Sequence, residues 1–254
     1  GGKANPVLIF GGGYAISKDS HAIGGIGGEP DSQGRAIYMV DAETGALKWS
    51  LAPSGDTVFS GTDSIPSSIA TLDSDGDGLT DRLYAGDTGG NVWRIDMPGS
   101  DKTKFSVFKL AEFGGITTNA LDRRFFNEPS IVRAYITETI DSGKKDSEGK
   151  AIITQQDIPY DAVLLGSGDR SNPIGTDTDD VFFMIKDINI KTQQFTSDSI
   201  PAMPTSPIKI GDLADYTQNP FGETLTSQEK ETLELAVSLK SGWFIELEQL
   251  GEKS

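Results

Sequence analysis

The chain has 254 residues, and 22 Lys+Arg stand against 38 Asp+Glu, a formal net charge of −16. That balance excludes sequence-independent nucleic-acid binding, which needs a basic face, and charge-driven docking on an anionic membrane. With 36% apolar residues, 30 Gly, 12 Pro and no Cys, the composition predicts many short strands joined by turns around a core, without disulfides.

Along the chain, the first strand signal is Ile9-Phe10 running into Gly11-Gly12-Gly13, followed by Tyr38-Met39-Val40-Asp41. Next, Ile65-Pro66-Ser67-Ser68-Ile69-Ala70 opens a strand after proline, as suits a sheet edge or a strand start. Leu83-Tyr84-Ala85-Gly86-Asp87 then leads to Trp93-Arg94-Ile95-Asp96. Asn127-Glu128-Pro129-Ser130-Ile131-Val132-Arg133 repeats the post-proline strand opening. Residues 141–150 read as a polar hairpin tip or loop. Leu164-Leu165-Gly166-Ser167-Gly168-Asp169 precedes Phe183-Met184-Ile185-Lys186, across a polar loop over 171–180. Residues 191–223 read as mostly irregular, with three prolines in 201–207. One helix is predicted near 226–241. Thr226-Ser227-Gln228-Glu229 is a capping box, Leu233, Ala236, Val237 and Lys240 share a face expected to pack on a sheet edge, and Gly242 is expected as its left-handed stop. Trp243-Phe244-Ile245-Glu246 is the last strand.

Four of these strands share the pattern aromatic, any, aliphatic, charged, and three of them follow a Gly-rich strand end. Their aromatic residues lie about 55, 90 and 60 residues apart by number. Propeller blades repeat at roughly 40–50 residues, so the pattern predicts blades stretched by insertions; an irregular β-sandwich is the alternative. The expected class is all-β, a modified propeller, with blade-like units at about 7–51, 64–99, 104–190 and 224–254. No apolar run approaches the roughly 18 residues of a membrane span, so the chain is not expected to be an integral membrane protein.

The strongest chemical signal is Asp73-Ser74-Asp75-Gly76-Asp77-Gly78-Leu79-Thr80-Asp81. It matches the start of an EF-hand loop, acidic at positions 1, 3, 5 and 9 with Gly at 6. Ca²⁺ wants six to eight oxygens at about 2.3–2.6 Å. Asp73, Asp75 and Asp77 can turn carboxylates inward, Gly78 lets the Leu79 carbonyl reach the ion, and Asp81 closes the sphere with both oxygens. Position 12, a Glu in helical EF-hands, is Tyr84 here, so the turn is read as a nine-residue calcium turn between two strands. A solvated acidic turn is the competing reading, although four carboxylates in nine residues repel one another without a cation. Mg²⁺ suits the turn less, since it keeps its water.

Other candidates are weaker. His21 is the single histidine and builds neither a zinc site nor a triad alone. Gly166-Ser167-Gly168-Asp169-Arg170 falls short of a nucleophile elbow, and Asp169 is expected to fix a turn. Asp177, Asp179 and Asp180 could help hold a second cation, but a solvated loop is the preferred reading. No P-loop is present.

The run from Ser64 to Asp96, in which the acidic turn leads into Leu83-Tyr84-Ala85-Gly86-Asp87 and Trp93-Arg94, resembles the C-terminal domain of the PilY/PilC family, the tip-associated adhesins of bacterial type IV pili. Gly11-Gly12-Gly13-Tyr14, Gly168-Asp169-Arg170 with Phe182-Phe183-Met184-Ile185-Lys186-Asp187, and Gly242-Trp243-Phe244-Ile245 extend the likeness over nearly the whole chain. The resemblance implies a calcium-binding modified β-propeller without enzyme activity, whose calcium-bound form opposes pilus retraction and whose metal-free form permits it. It implies Asp73, Asp75, Asp77, the Leu79 carbonyl and Asp81 as ligands. It implies pilus machinery or pilin subunits at the tip as partners, an exported, surface-associated location, and host contacts only through regions outside this chain. The chain then reads as the middle of a longer protein, with any export signal outside it. A second resemblance competes: Ala42-Glu43-Thr44-Gly45 with Trp49 is similar to the repeat of quinoprotein propellers, which would imply a quinone-dependent dehydrogenase.

Overall fold

A computed structural model describes residues 6–20, 30–115, 117–145, 147–190, 206–222 and 224–247. Among them the chain forms thirteen strands and one α-helix. The first sheet holds β1 (Val7–Gly11), β2 (Ile37–Asp41), β3 (Leu47–Ala52) and β4 (Thr57–Val58) in that order. The second holds β5 (Ala70–Leu72), β6 (Arg82–Gly86), β7 (Asn91–Asp96) and β8 (Ser106–Glu112), also in order. The third has the order β12-β13-β11-β10-β9, built from β9 (Ser130–Lys145), β10 (Ala151–Gly166), β11 (Val181–Asp187), β12 (Ala214–Asp215) and β13 (Gly242–Glu246). Strands β5 and β9, approached through Pro66 and Pro129, are both sheet edges, as expected for a strand opening after proline.

The second sheet lies between the other two, and every residue of β6 and β7 is buried. Side chains alternate across a strand, so the two faces of this sheet carry two different cores. Leu83, Ala85, Trp93 and Ile95 join Ile37, Met39, Trp49 and Leu51 of the first sheet. Tyr84 and Val92 join Val163, Leu165, Val181, Phe183 and Phe244 of the third. Trp49 is fully buried, donates from Nε1 to Thr57 Oγ1 at 3.0 Å and meets the Phe105 ring edge-on at 5.4 Å. The turn before it is fixed by Asp41, whose Oδ1 accepts the Glu43 and Thr44 N–H groups. The Thr-Gly…Trp motif thus serves the packing of the first sheet on the second.

The strands group differently from the expected units. A short 3₁₀ turn at Lys102–Lys104, capped by Asp101, returns the chain directly, so β8 pairs with β7 and closes the second sheet. Strand β13 pairs with β11 and β12, so the described part of the 224–254 unit, 224–247, joins the third sheet. The expected polar loop over 141–150 narrows, because β9 and β10 pair as far as Lys145 and Ala151. Of the expected irregular stretch over 191–223, residues 191–205 lie outside the described residues.

Helix α1 (Ser227–Ser238) starts on the predicted capping box, with Thr226 Oγ1 accepting from the Glu229 N–H at 3.3 Å. Leu233 and Val237 are half-buried, while Ala236, Leu235 and Leu239 are exposed. Gly242 is not the helix stop, since the cap is Leu239. Its φ is +146°, and a Cβ there would lie 2.0 Å from the Met184 carbonyl oxygen. Glycine is needed for the close approach of β13 to β11.

At the β6–β7 turn, Asp87 is fully buried. Its Oδ1 accepts the Gly89 and Asn91 N–H groups at 2.9 Å each, and its Oδ2 accepts the Trp93 indole N–H at 2.7 Å. Burial first, and the charge of Asp63 second, push its carboxyl up to about 6. Lys18 and Asp31 belong to the same polar cluster, with Lys18 Nζ 2.5 Å from Asp63 and 3.8 Å from Asp31. A raised carboxyl stabilises the fold while protonated, and that contribution is lost as pH rises from about 4 to about 6, on the order of 2–3 kcal/mol. The melting temperature of wild type is therefore expected to fall relative to that of Asp87→Asn across this window. A flat difference contradicts the assignment.

Candidate metal centre

The acidic turn spans Asp73 to Asp81 and joins β5 to β6, as a turn between strands. Its base is closed by the ladder, with the Asp81 N–H donated to the Leu72 carbonyl at 2.9 Å and the Met97 N–H to the Asp81 carbonyl at 2.7 Å. Gly76 and Gly78 have φ of +82° and +88°, which lets the chain fold back within nine residues. That tight path turns backbone N–H groups onto the carboxylates. Asp73 accepts from Gly76 at 2.6 Å and from Gly78 at 2.8 Å, while Asp75 accepts from Asp77 at 3.1 Å. Asp81 Oδ2 accepts from Ser74 at 2.7 Å and from Asp75 at 3.2 Å.

Carboxylate oxygens of Asp73, Asp75 and Asp81 all lie within 4.8 Å of one another, and no other such group of three or more His, Cys, Asp or Glu residues occurs among the described residues. Asp73 is exposed, Asp75 half-buried and Asp81 buried. Asp77 stands outside the group and accepts from the Leu79 N–H at 2.7 Å. The two ends of the turn differ in electrostatics. The Gly78 N–H, with help from Gly76, holds the Asp73 carboxyl below its ordinary range. Burial pushes Asp81 up, and the charges of Asp75 and Asp77 add to this. Asp81 is thus a desolvated anion facing anions, a setting that a bound cation relieves. The donor set is all oxygen and suits a hard cation. The Leu79 side chain is exposed and lines a groove of ≈ 450 Å³ with Val7, Ile9, Met39, Met97 and Phe105, at the seam of the first two sheets.

The residue after Asp81 opens a buried ion network that the sequence reading did not single out. Arg82 Nε meets Asp96 Oδ1 at 3.0 Å, and its Nη1 meets Asp161 Oδ2 at 2.8 Å. Arg94 holds Asp96 at 2.9 Å and Asp187 at 2.7 Å. Tyr84 donates to Asp187 Oδ2 at 2.8 Å. Arg133 Nε reaches Asp161 Oδ1 at 2.6 Å. Burial opposes the charge on Arg94, but Asp187 and Asp96 overcome it and raise its pKa. Three arginines face three aspartates between the second and third sheets. The available signal was charge inside strands otherwise apolar on both faces, as in Val92-Trp93-Arg94-Ile95-Asp96.

The weaker candidates separate. His21 lies outside the described residues. Asp169 fixes a turn, its Oδ1 accepting the Ser171 N–H at 2.9 Å and hydroxyl at 2.7 Å, while Arg170 donates to Asn127 Oδ1. Asp180 is buried and accepts from Ser167 Oγ at 2.8 Å.

A family model described as the PilY1 beta-propeller domain matches residues 8–143, more than half of the chain. The chain belongs to that family. Among curated relatives, the type IV pilus biogenesis factor PilY1 of Pseudomonas aeruginosa strain PAO1 is 32% identical over 94 residues, covering 37% of this chain and 8% of the relative. A PilY1 homolog of Xylella fastidiosa is 32% identical over 88 residues, covering 32% of this chain and 6% of its own. The chain therefore matches less than a tenth of the length of these relatives. The crystal structure of the Pseudomonas aeruginosa PilY1 C-terminal domain superposes with a TM-score of 0.51 at 19% identity, over 97% of this chain and 48% of that one. The fold is a β-propeller of the PilY1 kind, and its three open sheets are the blades of a partial propeller. No helix among the described residues is long and apolar enough to cross a membrane.

Proposed function

We propose that this propeller is a non-enzymatic, calcium-binding domain of a type IV pilus biogenesis protein, exported and associated with the pilus or the cell surface. One observation carries the calcium reading: three carboxylates of one nine-residue turn converge to within 4.8 Å, one of them buried. Asp73, Asp75 and Asp81 would hold the ion, with the Leu79 carbonyl and the Asp77 carboxylate completing the set on closure. Calcium would neutralise part of the turn's charge and fix the β5–β6 connection. Without it the like charges splay, and the groove that Leu79 helps line changes shape. Following the family resemblance, the bound form opposes pilus retraction and the free form permits it, through contacts with pilus machinery or pilin subunits.

Calorimetric titration of calcium into the protein tests the reading. One binding event is expected, lost in Asp75→Ala and weaker for Mg²⁺ than for Ca²⁺. No heat of binding, or binding that Asp75→Ala leaves intact, removes it. Among the described residues, Thr44, Gly45 and Trp49, which suggested the quinoprotein reading, serve the packing of the first sheet on the second, a role that needs no quinone.

A further inference from the structure

We propose that Arg133 is a positioning residue that couples the acidic turn to the docking of the third sheet on the second. The inference rests on the calcium reading above and concerns how that site is regulated.

Arg133 belongs to β9, the edge strand of the third sheet, whereas the turn belongs to the second. Its side chain is one quarter exposed and makes contacts in two directions. Nη2 lies 3.4 Å from Ser74 Oγ, inside the turn. Nε lies 2.6 Å from Asp161 Oδ1 in the buried network. Ser74 in turn gives its backbone N–H to Asp81 Oδ2 at 2.7 Å. The neighbouring sheet therefore holds the residue that orients the one buried carboxylate of the turn. A second route runs along the chain from Asp81 to Arg82, whose Nη1 meets the other oxygen of Asp161 at 2.8 Å. Both routes end on Asp161, which lies in one cross-strand row with Arg133 and Asp187.

A cation that draws Asp73, Asp75 and Asp81 together acts on Ser74 and Arg82 at once. Packed interiors switch between discrete arrangements more readily than they deform continuously, so the pull reaches the seam between the sheets. Coupling of this kind is reciprocal: a firmly docked third sheet favours calcium, and calcium favours the docked sheet.

The sign of one measurement decides the matter. As a bare positive charge near the turn, Arg133 opposes a divalent cation, and Arg133→Gln would tighten calcium binding. As a positioning residue it orients Ser74 and Asp81, and Arg133→Gln weakens binding by about tenfold, the scale of supporting contacts around metal sites. Calorimetry on wild type, Arg133→Gln, Ser74→Ala and the double variant supplies the test. Ser74→Ala leaves the ion network intact and serves if Arg133→Gln folds poorly. Each single variant is expected to weaken calcium binding, and the double variant no more than either. If wild type binds no calcium, the calcium reading and this inference fall together. If wild type binds and Arg133→Gln is unchanged or tighter, or the two effects simply add, the inference falls alone.

Discussion

An Asp81→Asn variant is expected to lose calcium affinity by at least about a hundredfold, because even supporting contacts around metal sites move affinity by 10–100-fold. The same variant should keep the metal-free melting temperature of the wild type, or exceed it. The reason is a division of labour within one side chain. A single oxygen of Asp81, Oδ2, accepts both the Ser74 and the Asp75 N–H groups. The amide oxygen of asparagine can accept the same two bonds. What the substitution removes is the negative charge, which burial and the neighbouring carboxylates make costly in the metal-free turn. Calorimetry and thermal unfolding, each with calcium and with chelator, measure the two halves separately. Retained calcium affinity, or a large fall in the chelator melting temperature, would show that Asp81 is a structural cap and no ligand.

Arg94→Leu should be the most damaging single change for stability. Arg94 is buried and is the shared partner of Asp96 and Asp187, and its Nη1 also donates to the Asn189 carbonyl at 2.7 Å. Removing it strands carboxylates inside the seam between the second and third sheets. Breaking one side of a buried pair costs about 3–5 kcal/mol, since the remaining charge has no water to return to. At this chain length that corresponds to a melting temperature lower by roughly 10 °C. The exposed pair Lys230–Glu234 on helix α1 is the control, and its removal should leave unfolding unchanged within error. Equal effects at the two sites would contradict the burial argument.

The sequence disclosed the turn chemistry more fully than the assembly around it. The nine residues from Asp73 to Asp81 could be placed between strands because their spacing and their glycines are local constraints. The pairs β1–β2, β6–β7 and β10–β11 were equally legible, from Gly-rich strand ends and aromatic return strands. Which sheet would receive Ser106–Glu112 or Gly242–Glu246 was not legible, because pairing depends on a short turn in one case and on a missing Cβ in the other. Least legible was the fate of Arg82, Arg94 and Arg133. In a list of residues they resemble ordinary surface charge. Only when Asp161, 79 positions after Arg82 and 28 after Arg133, and Asp187, 93 after Arg94, come to face them do they join one buried network.

The two-sided burial of the second sheet makes this propeller hard to divide. Cut out on its own, the segment from β5 to β8 would carry Leu83 and Ile95 bare on one side and Tyr84 and Val92 bare on the other. A strand ribbon greasy on both faces stacks with copies of itself. The blades that sequence repeats suggest as units are thus not units of solubility. The acidic turn can be presented as a folded site only together with the sheets before and after it.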